Sequence, residues 1–426
     1  MVALDHPTEK IAARRWAVAA ALAALLSLAL LGVRSWRIDY PYSIDFQVYW
    51  LAGSRVAAGE AASLYEPGGG PAEGVPLEMP RFEFKNLPIV SLAFVPFAAL
   101  DYTSAKRVFW WVSLGALLAS AALLGRFVVP ERLGDAGTRI AWAIALLCFM
   151  APAHTSLRHG QTTPLVLLAL TAYVALSLRR RPVPAGACLA VAGAVKLPVL
   201  VLIGLETVRR RWRTVTASLA VLTVIVVLSL AIFGRGLHRQ YLAGLGQHAG
   251  TVMTGHNNQS IAAVAARLAG SAPIYDWEPK PLPAGAPAVS VVVTVLLGGV
   301  LTWGLLRRAP SMGESRALLE LPAVLAFGLV VMPVAWDHYF LLLAPAVVTL
   351  AVGLHTRGML ARPAVAATLI VAFAGLAIPT PQRVLDGAPD WGWPGSLLLS
   401  HYFIGTVLVL ALAVAGLTRV EKKHRG

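Results

Sequence analysis

The residues able to do chemistry in this chain are few and widely separated. Asp45 lies in "SIDFQVYWLAG", a carboxylate set against Phe46, Tyr49 and Trp50. Arg158 and Gln161 belong to "HTSLRHGQTTP", Lys196 to "AVKLP", Asn258 and Gln259 to "GHNNQS", and Trp336 and His338 to "WDHYF". Each has a plain structural role open to it. An aspartate before an apolar-periodic run is usually a helix N-cap. A lysine near a span end snorkels to headgroups, and Trp, Tyr and His there populate the interfacial belt. Gathered on one side of a bilayer, however, an acid, a lysine and several His, Arg and amide donors make a site for a phosphorylated lipid and a polar acceptor. Whether they share a side depends on the elements that carry them.

The chain has 426 residues, 57% hydrophobic and 13% charged, with a mean hydropathy of +0.69. That is too apolar for a soluble class and places the chain in a bilayer. The net charge of +15 comes as short basic clusters between apolar runs, which is membrane-flanking charge rather than a nucleic-acid surface. Cys148 and Cys188 both fall inside apolar runs, so neither a disulfide framework nor a thiolate metal site is expected. The apolar stretch from Trp16 to Val33 is long for a signal h-region and reads as a retained first span.

The pattern predicts an all-α polytopic membrane protein, one integral membrane domain over 1–426, with about twelve transmembrane helices. Candidate spans fall near 16–34, 106–125, 139–153, 162–178, 184–196, 197–208, 214–233, 286–306, 317–334, 338–355, 360–378 and 397–418. The stretch 87–100 carries Pro88 and Pro96 and reads as an interfacial or re-entrant piece. If it does not cross, "KIAARR", "RRR", "RRRWR" and the C-terminal "RVEKKHR" share one face, which the positive-inside rule makes cytoplasmic. The short pair within 182–208 reads as a hairpin, with one tilted span as its rival. The large segments 35–105 and 234–285 are then extracytoplasmic, with tight turns near 154–161 and 335–338 on the same side.

In the first large segment, Asp45 is expected to cap a surface helix whose Phe46, Tyr49, Trp50 and Gly53 fall at i, i+3, i+4 and i+7. A Pro/Gly-rich loop follows at 67–80. "GHNNQS" starts a surface helix ending near Arg267.

Taken in order, "DF-x-x-YW-x-AG", the "GQ-x-x-P" turn, the "K-x-P" turn, "NQS" with a downstream Arg, and "W-x-HY" resemble glycosyltransferase family 87. These are polytopic GT-C-fold enzymes that include bacterial mannosyltransferases using polyprenyl-phosphate-mannose. The resemblance implies a GT-C-like bundle in the bacterial plasma membrane with an extracytoplasmic active site. It implies an inverting transfer of a hexose, mannose first, from a polyprenyl-phosphate donor to a cell-envelope glycolipid or glycan. The first-loop acid of such enzymes is the catalytic base, which carries over to Asp45. Lys196, His338 and Arg158 are then the candidates for the donor phosphate. Tyr49, Trp50, Gln161, Asn258, Gln259 and Trp336 are the candidates for substrate contact. The sequence has no Asp-x-Asp motif, so no metal ligands are assigned and no cofactor is expected beyond the lipid-linked donor. Membrane lipids are partners, and nucleic acid is not. A lipid-linked-sugar flippase or secondary transporter, and a scaffolding membrane protein, remain the rivals; the former is expected to show inverted repeats.

Overall fold

The structure, a computed structural model, describes residues 7–36, 44–66, 83–246, 250–269, 274–307, 315–388 and 390–419. The Pro/Gly-rich 67–80 and most of "RVEKKHR" lie outside the described residues. Each of the expected apolar stretches falls on a helix. Among the described residues six helices are long and apolar enough to cross a membrane, seven with one bent pair counted as a span, and shorter apolar helices accompany them. The chain is an all-α polytopic membrane protein. Its contacts divide it into two compact units, Met1–Val195 with Thr216–Leu237, and Lys196–Val215 with His238–Gly426.

The first unit holds α1 (Pro7–Ser35), α2 (Ile44–Ala57), a 3₁₀ helix over Pro88–Ala99, α3 (Tyr102–Phe127), α4 (Ala136–Phe149), α5 (Ala151–His159), α6 (Thr163–Leu178) and α7 (Pro182–Val195). Local chemistry sets several of these ends. Asp101 caps α3 by accepting from the Ser104 N–H at 3.0 Å, and Asp135 caps α4 through Thr138 at 2.7 Å. The end of α1 is tied to α3 by Trp110 Nε1, which donates to buried Ser35 Oγ at 3.1 Å. Twelve residues of 3₁₀ helix rise only ~24 Å, short of the ~30 Å hydrocarbon core, as expected of a piece that does not cross.

The region 139–161 differs from the sequence reading, which placed a span to 153 and a turn at 154–161. The helix breaks at Met150, and His154 to His159 form part of α5, bent 68° from α4. Pro152 explains the break: it has no N–H to give the carbonyl four residues back, and its ring clashes there. That carbonyl, on Cys148, is taken instead by His154 Nε2 at 2.8 Å.

The chain continues through a 3₁₀ turn at Leu197–Leu200 into α8 (Val201–Val208), so 182–208 carries two short helices joined at Lys196. It proceeds through α9 (Trp212–Gly246), whose middle belongs to the first unit and which is interrupted at Gly234. The second unit adds α10 (Ile261–Leu268), α11 (Ala286–Leu306), α12 (Ser315–Val330), a 3₁₀ helix at Asp337–Leu343 running into α13 (Ala344–Thr356), α14 (Pro363–Ala377), α15 (Gln382–Gly387), α16 (Trp393–Leu399) and α17 (His401–Thr418). Two-residue strands β1 (Thr251–Val252) and β2 (Lys280–Pro281) pair antiparallel. Buried α12 carries Glu320, which accepts from Arg209 Nε and Arg316 Nε at 2.6 Å each, while Arg209 also donates to the fully buried Glu206 at 3.0 Å. Such a network costs more to break than to keep, because a lone buried charge is left behind. Part of the basic cluster at 209–213 is therefore consumed in folding the second unit.

Candidate functional site

In the first unit, α2 carries Asp45 in its first turn, as the second residue of the helix. This corrects its expected placement as the N-cap; a carboxylate there still complements the positive end of the helix. The periodicity of α2 turns Phe46, Tyr49 and Trp50 into the protein. Phe46 is fully buried and stacks on Phe109 at 5.0 Å and Tyr102 at 6.0 Å. Tyr49 lies flat on Phe94 at 4.8 Å, and Trp50 Nε1 donates to the Phe97 carbonyl at 3.1 Å. Assigned from sequence to substrate, both aromatics instead lock α2 onto the 3₁₀ helix, because their faces and donor are occupied by protein. Only the hydroxyl end of Tyr49 reaches polar neighbours, at 3.4 Å from Gln161 Oε1. Burial, then the charge of Asp45, pushes the Tyr49 phenol up to about 12, so it stays a proton donor.

Opposite the start of α2 lies the end of α5. Gly160 closes α5 in the left-handed region at φ 68°, and a Cβ there would stand 2.4 Å from Phe46 Cβ. Glycine thus permits both the turn and the close approach. The approach sets His159 Nδ1 3.4 Å from Asp45 Oδ2, with the two side chains 28% and 32% exposed. A carboxylate open to solvent on one side, with an imidazole on the other and a rigid aromatic bed beneath, is placed to accept a proton with little movement. Arg158 is half-buried in the last turn of the same helix.

In the second unit, Lys196 is extended between helical segments, at φ −132° and ψ 101°, and is nearly buried. Its Nζ sits 3.9 Å from the centre of the Tyr339 ring, a cation–π contact. His338 meets the same ring edge-on at 4.8 Å, so Tyr339 joins the two groups assigned to phosphate. Asp337 Oδ1 accepts from the His338 N–H at 2.7 Å and lies 3.5 Å from His338 Nδ1.

Asn258 and Gln259 are buried, and their side chains are used by the backbone. Asn258 Nδ2 donates to Met253 O at 2.9 Å while its Oδ1 accepts from Ala335 N at 3.0 Å, and an isolated bridge joins Asn258 to Trp336. Gln259 Nε2 donates at 2.7 Å to His256 O and to Leu399 O, and its Oε1 accepts from Phe403 N at 3.2 Å. The sequence reading gave both amides to substrate; their geometry makes them braces that hold the "WDHY" turn in place. Ser260 caps α10, which ends near Arg267 as expected but is buried along most of its length instead of lying at the surface; buried Arg267 donates to the carbonyls of Thr254, Gly255 and Asn258 and to Ser400 Oγ. Burial lowers its pKa to about 10.

His159 and Tyr339 are site residues that the sequence reading did not assign, and Asp337 stands against His338. The first stands beside Arg158 and a glycine that ends a helix, and the others flank His338 within one quoted motif, so adjacency was the available signal. Among the described residues no three His, Cys, Asp or Glu side chains group to hold a metal ion.

A polyprenol-phosphate-mannose-dependent alpha-(1-2)-phosphatidylinositol mannoside mannosyltransferase of Mycobacterium tuberculosis is 28% identical to this chain over 340 residues, covering 76% of this chain and 74% of its own. The protein of the same name from Mycolicibacterium smegmatis is 29% identical over 358 residues, covering 78% and 76%. No solved structure matches. The family model described as Glycosyltransferase family 87 matches residues 84–333, a stretch that contains Arg158, Gln161, Lys196, Asn258 and Gln259 and ends before Trp336 and His338. A match over more than half of the chain shows the family: the protein belongs to glycosyltransferase family 87.

Proposed function

We propose that this chain moves mannose, with inversion, from a polyprenyl-phosphate donor to a glycolipid or glycan acceptor on the extracytoplasmic face of the plasma membrane. Family membership makes it a glycosyltransferase rather than the transporter or scaffold that composition also allows. The donor is inferred from the printed names of the mycobacterial relatives, and the sidedness from the basic clusters. The observation that carries the reading is Asp45 held on a packed aromatic bed within 3.4 Å of His159.

In this reading Asp45 accepts the proton of the acceptor hydroxyl as its oxygen bonds to C1 of the sugar. The bond from C1 to the phosphate oxygen breaks on the opposite face, and polyprenyl phosphate departs with the electron pair. His159 fixes the direction of the Asp45 carboxylate. Lys196 and His338, braced by Tyr339, serve the phosphate, where charge grows in the transition state; Arg158 is a further candidate. Tyr49 and Gln161 orient the start of α2, and Trp336 positions the turn bearing His338.

The test is Asp45→Asn, which keeps the size and polarity of the side chain but cannot accept the proton. Turnover is expected to fall by ~10²–10⁴-fold. The measurement is sugar transfer from purified polyprenyl-phosphate-mannose by detergent-solubilised protein, at equal amounts of monodisperse enzyme. Turnover equal to wild type removes the catalytic role of Asp45.

A further inference from the structure

Three rings in the loop between α9 and α11 are used neither by the proposed reaction nor by the core of the second unit. Tyr275 and Trp277 are 49% and 43% exposed, their rings are 6.2 Å apart, and His256 packs against both. We propose that Tyr275, Trp277 and His256 form a platform for a hexopyranose of the acceptor, beside the turn that carries His338. This rests on the reading of the protein as a sugar transferase.

The platform is built rather than incidental. His256 meets Tyr275 at 5.5 Å and 70° and Trp277 at 6.0 Å and 76°, so the rings stand edge to face instead of stacking away their surfaces. The Trp277 indole rests on Gly255, where a Cβ would come within 2.7 Å of its Nε1. The backbone holds the arrangement: Gly255 N donates to Asp276 O and His256 N to Ile274 O, both at 2.7 Å. Asn257 ties it to the phosphate end, because its carbonyl accepts from Asp337 N at 2.9 Å.

Two occupants fit exposed aromatics near a bilayer, a lipid headgroup layer and a sugar. Belt tryptophans send their N–H outward to the wet interface. Trp277 does the opposite: its Nε1 donates to Asn257 Oδ1 at 2.9 Å, which leaves the carbon framework of the ring as the exposed part. The axial C–H groups of a hexopyranose suit the negative face of such a ring. Its hydroxyls need polar neighbours, and Asn257, His256 and the Asp276–Lys280 ion pair supply them. The donor's one sugar has to reach the catalytic acid. A fixed platform suits a ring that is held in place while another is transferred to it, which is a ring of the acceptor.

The experiment uses the full chain in lipid nanodiscs. Binding of a soluble mannose disaccharide is read by saturation-transfer NMR, and turnover is measured with a mannose-terminated glycolipid acceptor. Trp277→Ala and Tyr275→Ala are each expected to weaken disaccharide binding and raise the acceptor KM about tenfold, while Trp277→Phe keeps most of both. The donor KM and kcat stay within about twofold of wild type in all three, since only acceptor binding is touched. No saturation transfer in wild type, unchanged binding in both Ala variants, or a rise confined to the donor KM overturns the assignment. Disaccharide binding needs no turnover. A fully active Asp45→Asn would therefore remove the catalytic assignment, while the binding arm still decides the platform.

Discussion

Replacing Gly160 by alanine tests whether the packing of two helices sets the position of the acid. The added methyl has two costs. At φ 68° an L side chain crowds its own carbonyl, about 1–2 kcal/mol. It would also stand 2.4 Å from Phe46 Cβ, and overpacking of this kind costs about 1–3 kcal/mol. Phe46 has no room to yield, being fully buried and held by Phe109, Tyr102 and Phe97. The contact atom is moreover a Cβ, so only the backbone of α2 can move away. Destabilisation of about 2–5 kcal/mol follows, together with a displacement of Asp45 from His159. A shift of ~1 Å at a reacting group costs ~10²-fold in rate, so the folded fraction of Gly160→Ala is expected to turn over far more slowly than wild type. Phe46→Ala added to it leaves the clash in place and does not restore activity. The assays are thermal unfolding in detergent and sugar transfer per folded enzyme. Wild-type values of both in Gly160→Ala, or rescue by the second substitution, would refute the reasoning.

Lys196→Met and His338→Ala are each expected to lower turnover more than donor affinity, because they act on charge that grows as the phosphate leaves; a donor KM that rises with kcat unchanged excludes this role. Single cysteines at position 70 and within 179–181 should label from the extracytoplasmic and cytoplasmic sides respectively; labelling of position 70 from the cytoplasm alone would invert the topology. Burial lowers the His256 pKa, opposed by the charge of Asp337, so the folded state binds a proton less readily than the unfolded one. Its contribution to stability is then complete above about pH 6.5 and is lost as pH falls through the depressed value. Melting at pH 7.5 and 5.5 should show a smaller difference in His256→Asn than in wild type, and an equal difference would exclude the contribution.

What could be read from the residues alone was whatever depends on periodicity. The spacing of Phe46, Tyr49, Trp50 and Gly53 marks one face of α2, and apolar run lengths found the long helices such as α1, α3, α11 and α17, but not α15 or most of α5. Partners distant in sequence were not legible. Tyr49 and Trp50 look like sugar-stacking residues until Phe94 and the Phe97 carbonyl occupy them, and Asn258 and Gln259 look like substrate amides until Ala335 and Leu399 claim their polar atoms. The stretch 154–161 shows the same thing from the other side. Pro152 was visible and its effect is general, yet whether it bends a helix or ends one depends on what receives the abandoned Cys148 carbonyl. His154 takes it, and α5 runs on as far as Gly160, which closes it in the left-handed region. That extension carries His159 to Asp45, so the environment of the candidate base depends on where α5 ends, which the sequence around Asp45 does not show.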